Sequence, residues 1–234
     1  MPIAKPVLTS WSFSRWSDYR KCPAYFRFKH ILKTPEPKNA AMDRGTAIHK
    51  LAEDYVSGKT AKLAKELSAF KAEFAALKKQ KVKVVEENWA FTNKWDLTTW
   101  NNWDHCWLRV KLDVAYVHEE HSVVVPIDYK TGKMRAEKNA EYELQLELYG
   151  VSALLQMPSV QAASPRLWYI DEGVIYPDPE EREIEFFRKD VPALKKKWEA
   201  RVKPMFQDTT FKPTPGDACR WCHYSKSKDG PCKF

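Results

Sequence analysis

Three residues in the middle of the chain, Asp113, Asp128 and Lys130, have the types and spacing to hold a hard cation beside an ammonium group. Leu108, Val110, Leu112, Val114 and Tyr116 alternate with Arg109, Lys111, Asp113 and Ala115, the period of a half-buried strand that carries Asp113 on its polar face. His118-Glu-Glu-His121 reads as a turn, and residues 123–130 as the returning strand. Asp128 and Lys130 are two apart and project from one face of it. If the hairpin pairs, both carboxylates and the lysine converge. Two carboxylates attract Mg²⁺ or Mn²⁺, which prefer oxygen ligands. Such an ion polarises a phosphodiester and lowers the pKa of a bound water. A neighbouring lysine orients that water or neutralises charge growing on phosphorus-bound oxygen. An Asp-x-Lys pair on a strand is more often a solvated ion pair. This one ends the apolar run Val123-Val-Val-Pro-Ile127, where a charge needs a partner or a metal.

Further candidates flank the hairpin. Gly45-Thr-Ala-Ile-His49 opens a predicted helix on which His49 lies off the apolar stripe, free to add an imidazole to the cation or to sit in solvent. Gln145 and Tyr149, four apart on a later predicted helix, share a face and can donate to a phosphate. Cys219-Arg-Trp-Cys222 and Cys232 form a ligand-like cluster in the tail, and Cys22 lies near the start. Four thiolates suit an iron–sulfur cluster or a tetrahedral zinc, and free thiols are the plainer alternative. Cys106, at a predicted strand start, reads as a small buried hydrophobe. In the tryptophan-rich stretch from Trp89 to Trp107, aromatics suit a sheet core or stacking on unpaired bases, with Trp95 and Trp100 the better stacking candidates. Arg15, Arg20 and Lys21 can contact phosphates or line a solvated helix face.

The elements that position these residues follow from periodicity. Helices are predicted over residues 14–21 (stopped by Cys22-Pro23), 42–56, 59–80, 137–156 and 191–202, and strands over 82–91, 108–116, 123–130 and 166–171. This order argues for an α/β sandwich around a mixed sheet. The 234 residues, 44% hydrophobic, suit one domain. No apolar run is long enough for a membrane span, and the opening Met-Pro-Ile-Ala-Lys-Pro has no signal-peptide pattern, so the expectation is a cytoplasmic protein without a membrane partner. The 39 lysines and arginines against 31 acids give a net charge of +8, which suits a polyanion. Gly132-Lys133 is followed by Met134 with Ile127 ahead of it, so there is no phosphate-cradling loop and no helicase engine.

Taken in order, Gly45-x-x-x-His49, Asp113, Asp128-Tyr-Lys130-Thr-Gly-Lys133 and Gln145-Leu-x-x-Tyr149 resemble the RecB-type signature of the PD-(D/E)xK nuclease superfamily. The likeness spans roughly residues 10–150, and the cysteines extend it to the C-terminus. One early cysteine and three late ones resemble its iron–sulfur branch, which includes AddB-type subunits and CRISPR-associated exonucleases. The resemblance implies a restriction-endonuclease-like core, a mixed central sheet flanked by helices. It implies a metal held by His49, Asp113, Asp128 and the backbone carbonyl of Tyr129, with Lys130 catalytic and Gln145 and Tyr149 assisting at DNA phosphates. It implies a 4Fe-4S cluster on Cys22, Cys219, Cys222 and Cys232, with zinc the alternative. On this reading residues 1–234 are one nuclease domain, with 41–204 the catalytic core and 1–40 and 205–234 the cysteine clasp. The segment Val110-Lys-Leu-Asp113 departs from the G-x-x-D pattern of many members, with Glu86, Glu87, Asp96 and Asp104 the nearest substitutes for Asp113. The implied activity is a metal-dependent exonuclease acting on DNA ends or single strands in recombination, repair or phage replication, beside a helicase, recombinase or single-strand-binding protein. The alternatives are a non-catalytic DNA-binding module of the same fold and a zinc-stabilised interaction protein.

Overall fold

A computed structural model describes residues 8–37 and 39–234; the residues read above for a leader lie outside that range. In chain order the helices are α1 (Phe13–Lys21), α2 (Pro23–Phe26), α3 (Ala40–Val56), α4 (Lys71–Lys79), α5 (Asn139–Gln156) and α6 (Val191–Gln207). The strands are β1 (Lys83–Phe91), β2 (Leu97–Thr98), β3 (Leu108–His118), β4 (Val123–Lys130), β5 (Ala162–Ala163), β6 (Arg166–Tyr169), β7 (Val174–Tyr176) and β8 (Phe186–Phe187).

They form one mixed sheet in the order β2-β1-β3-β4-β5-β8, with β6 pairing β4 and β7 pairing β6. β1, β3 and β4 are antiparallel neighbours, whereas β5 and β6 run parallel to successive halves of β4. The parallel step requires a crossover, and α5 supplies it. Helices α5 and α6 bury one sheet face around Leu148, Val151, Leu154, Trp198 and Val202. Helices α3 and α4 cover the other around Ile48, Ala52, Phe70, Phe74 and Ile127.

The sequence reading and the fold differ in places that have physical causes. Helix α1 ends at Lys21, as the Cys22-Pro23 stop predicts, but a second helix follows at once. Cys22 is extended, but proline fits the first turn of α2, and the chain continues through a π-helical turn at Arg27–Ile31. The predicted helix over 59–80 resolves into a 3₁₀ turn at Lys65–Phe70 followed by α4, and Leu67, Phe70, Phe74 and Leu77 still form its buried stripe. Four strands of two or three residues, β2, β5, β7 and β8, were not anticipated; they are too short to show a period. Helix α6 passes the predicted end at Val202 and runs to Gln207 through Pro204. Cys106 is buried, as expected of a small hydrophobe.

Phe74 is fully buried where α4 meets the sheet, against Tyr129 and Trp168 at ring separations of 5.5 Å each. Phe74→Ala is expected to cost about 3–5 kcal/mol, read from the denaturant midpoint.

Candidate active site

The site is built at a kink shared by β1 and β3. The ladder pairs Val85 with Val114 and Glu87 with Leu112, which sets Glu86 opposite Asp113, and Glu86 has φ +53°. Valines 85 and 114 pack toward α3 and α4, while Trp89 and Leu112 pack toward α5 and α6. The strands therefore turn over at this point, and helices from both faces can reach it. On the other edge of β3 the ladder to β4 ends at Val114 and Ile127. Asp113 and Asp128 are the next opposed pair.

Both carboxylates are buried, at 6% and 8% exposure, and both line one cavity of about 500 Å³ with His49, Gln145 and Tyr149. His49 comes from α3, and its Nδ1 lies 2.8 Å from Asp113 Oδ1. Gly45, one turn earlier, lets this happen: a Cβ there would stand 3.3 Å from Thr131 Oγ1, so the helix rests close to the end of β4. Arg44 and the Gly132 N–H both bind Asp171, which ties α3 to the same turn. Gly132 takes φ +90°, a conformation that favours glycine. Asp113 Oδ2 accepts the Tyr129 N–H at 2.7 Å. From α5, the Tyr149 hydroxyl donates to Asp128 Oδ1 at 2.7 Å and accepts Gln145 Nε2 at 2.8 Å.

Asp128 Oδ2 is buried and receives no well-directed hydrogen bond, although Lys130 Nζ lies 2.6 Å away. The short distance makes an ion pair, while the poor angle leaves a lone pair of the oxygen uncommitted. A buried oxygen in that state, beside a second carboxylate, suits a cation. Donor atoms of His49, Glu86 and Asp113 lie within 4.8 Å of one another. The donor set, one imidazole and up to three carboxylates, fits Mg²⁺ or Mn²⁺.

Burial pushes the Asp113 carboxyl up; the His49 hydrogen bond opposes this, and the charge of Asp128 adds to it. Burial alone would lower His49, but its hydrogen bond to Asp113 and the surrounding carboxylates raise it above the usual imidazole value. Burial, then the charge of Asp128, pushes Tyr149 well up, so its hydroxyl stays a donor.

A family model of the PD-(D/E)XK nuclease superfamily matches residues 10–227. The chain belongs to that superfamily. Its mixed sheet with flanking helices is the restriction-endonuclease-like fold. No curated protein matches the chain. Among solved structures it is similar to a candidate exonuclease from Eubacterium rectale, with TM-score 0.51 and 14% identity over 92% of this chain and 87% of that one. It is also similar to SSO0001, with TM-score 0.41 and 14% identity over 97% of this chain and 88% of that one.

In this PD-(D/E)XK chain the fold brings His49, Asp113, Asp128, Tyr129, Lys130, Gln145 and Tyr149 together. Tyr129 meets the site through its N–H, and its ring packs on His49 and Phe74. Gln145 and Tyr149 are buried in the cavity wall and engaged with Asp128. Glu86 was read only as a substitute for Asp113; it stands beside it. The strand pattern of residues 82–91 contained the signal, since pairing that strand with 108–116 sets Glu86 opposite Asp113.

The four clasp cysteines also meet. Cys22, Cys219, Cys222 and Cys232 line one cavity of about 200 Å³ under Tyr25, Phe28 and Tyr224. Thr214 N–H points at Cys22 Sγ at 3.5 Å, and the Tyr224 hydroxyl donates to Thr34 O at 3.0 Å, so the two terminal segments are stitched together around the thiols. Burial pushes the Cys22 thiol up, and the N–H groups of Thr214, Tyr25 and Ala24 outweigh it, holding the thiol below its usual value.

One stacking candidate is corrected. Trp95 is 3% exposed, its Nε1 donates to Glu199 and its ring packs on Trp107, so it belongs to the core. The turn after β1 folds back and buries it. Of the basic residues near α1, Arg20 lies over the Trp16 ring.

No helix among the described residues is long and apolar enough to cross a membrane.

Proposed function

We propose that this protein is a Mg²⁺- or Mn²⁺-dependent deoxyribonuclease, acting as an exonuclease on DNA ends or single strands. The observation that carries the reading is the convergence of two buried carboxylates, Asp113 and Asp128, with His49 in one cavity, Glu86 beside Asp113 and Lys130 ion-paired to Asp128 Oδ2. His49, Asp113 and Asp128 hold the cation, with Glu86 added to the set and the Tyr129 carbonyl as the ligand that the family resemblance supplies. When bound, the ion neutralises the phosphodiester and acidifies water. Lys130 presents its ammonium to the charge that develops during cleavage. Tyr149 fixes the Asp128 carboxylate through its hydroxyl, and Gln145 holds that hydroxyl in place. The deciding experiment digests end-labelled single- and double-stranded DNA with each ion and with chelator. Cleavage only with the ion supports the reading; binding without cleavage in every divalent ion favours the non-catalytic DNA-binding module.

The clasp supports placement in the RecB-like, AddB-like branch with a 4Fe-4S cluster. A single tetrahedral zinc draws its thiolates to about 3.8 Å from one another. Four thiols gathered around one cavity suit such a zinc or a cluster whose irons each take one, and the order of one early and three late cysteines favours the cluster. Residues 1–40 and 205–234 then serve as the clasp of a single domain whose core is 41–204. The cellular setting we assign is cytoplasmic DNA recombination, repair or phage replication, beside a helicase, recombinase or single-strand-binding protein.

A pH dependence follows from His49. Its raised value means that, in metal-free protein, the imidazole keeps a proton to a higher pH than usual. A cation must displace that proton, so affinity falls as pH drops through the raised value and levels off above it. The raised Asp113 carboxyl reinforces the fall at lower pH. Calorimetric Mn²⁺ titration from about pH 6 to about pH 8 should show tightening with pH and proton release. His49→Ala should remove most of the slope and weaken binding by about tenfold.

A further inference from the structure

The segment between β1 and β3 carries groups that the cation site does not use. Trp100 and Arg109 line the same cavity as Asp113 and Asp128. The Arg109 guanidinium lies 4.4 Å from the ring centroid of Trp103 and 5.4 Å from that of Trp100. Its Nη2 donates to Trp100 O at 3.1 Å, and its Nε is buried with no hydrogen-bond partner. Trp103 is 65% exposed. Arg15 approaches from α1, its Nη1 donating to Ser10 O at 2.9 Å and Ser10 Oγ at 3.2 Å. Burial, and then the like charge of Arg109, lower its affinity for a proton.

Among the described residues, the contacts that hold both guanidiniums run to backbone carbonyls and a hydroxyl, not to carboxylates. Arg109 lines the cavity wall, and Arg15 follows Ser14, which lines it too; two such cations attract an anion of the size of a phosphate. An exposed indole backed by a guanidinium offers a flat π surface to an unstacked base. Inside a duplex each base is already stacked, so a single strand uses the indole far better.

We propose that Trp103, with Trp100 and Arg109, is a stacking subsite for a nucleobase of single-stranded DNA, whose adjoining phosphate is received by Arg15 and Arg109 next to the Asp113–Asp128 cavity. The inference rests on the nuclease reading for its place in a reaction, but its test reads binding alone. Fluorescence anisotropy of labelled oligothymidylate and of a blunt hairpin duplex is measured with the full chain in chelator, where no cleavage occurs. Trp103→Ala is expected to weaken oligothymidylate binding about tenfold and duplex binding less than about twofold. Trp103→Phe should keep most of the single-strand affinity. Exposure of the side chain makes misfolding on substitution a small concern, and an unchanged melting curve checks it. Native-like oligothymidylate binding by Trp103→Ala, or equal loss for both DNAs, overturns the subsite. If the native chain never cleaves with Mn²⁺ yet Trp103→Ala loses single-strand binding selectively, the nuclease reading fails and the subsite stands.

Discussion

Lys130→Ala is expected to lower Mn²⁺-dependent DNA cleavage by about 10²–10³-fold or more while leaving cation binding and the melting temperature close to native. The lysine sits at the end of β4, partly exposed, with its ammonium 2.6 Å from Asp128 Oδ2. Its neighbours in the fold are supplied by the backbone ladder to β6, which does not depend on the side chain. Removing it therefore deletes a charge at the reacting centre without opening the core. Lys130→Arg keeps the charge but replaces a compact ammonium by a wide planar fork, and should recover little of the lost rate. Gel assays of end-labelled DNA, paired with Mn²⁺ calorimetry of the same samples, separate a role in the reaction from a role in assembling the metal site. A variant that binds Mn²⁺ normally and cuts at the native rate removes Lys130 from the mechanism.

The second large effect concerns the clasp. Cys22→Ser or Cys222→Ser is expected to abolish absorbance near 400 nm and to destabilise the fold by up to about 5 kcal/mol, the closure entropy of a loop of such length. The loop joins residue 22 to residue 232, nearly the whole chain. Packing already holds the two ends together: Phe26 stacks on Phe211 at 5.9 Å, and Tyr25 and Phe28 each meet Tyr224 at 5.4 Å. The variants should therefore fold, with the terminal segments exchanging amide hydrogens faster than the sheet. Iron and acid-labile sulfide analysis of the native protein decides between a cluster and zinc.

The strand pair that carries Asp113, Asp128 and Lys130 was legible in the sequence because β3 alternates up to Asp113 and an apolar run bounded by turns marks β4. β4 starts at Val123, where that run begins, and ends at Lys130, where Thr131-Gly132 turns the chain. The long helices bearing His49 and Gln145 were legible for the same reason. Glu86 was not, because its part in the site comes from a shared kink at which two strands exchange faces, and a period-two pattern carries no record of that. Trp95 was misread because a loop position in sequence says nothing of the α6 residues that fold over it, Glu199 among them. Trp103 and Arg109 lie ten residues or fewer from Asp113 in sequence, yet their stack depends on how the 92–107 segment doubles back, which is tertiary information.

The account stands on a cation shared by Asp113 and Asp128. Crystals soaked in Mn²⁺ and measured at its absorption edge test this directly. The expected result is an anomalous peak about 2–2.6 Å from carboxylate oxygens of both residues, with His49 at its side. A fully soaked crystal with no peak between these two side chains, or with the ion held by other residues, would contradict it.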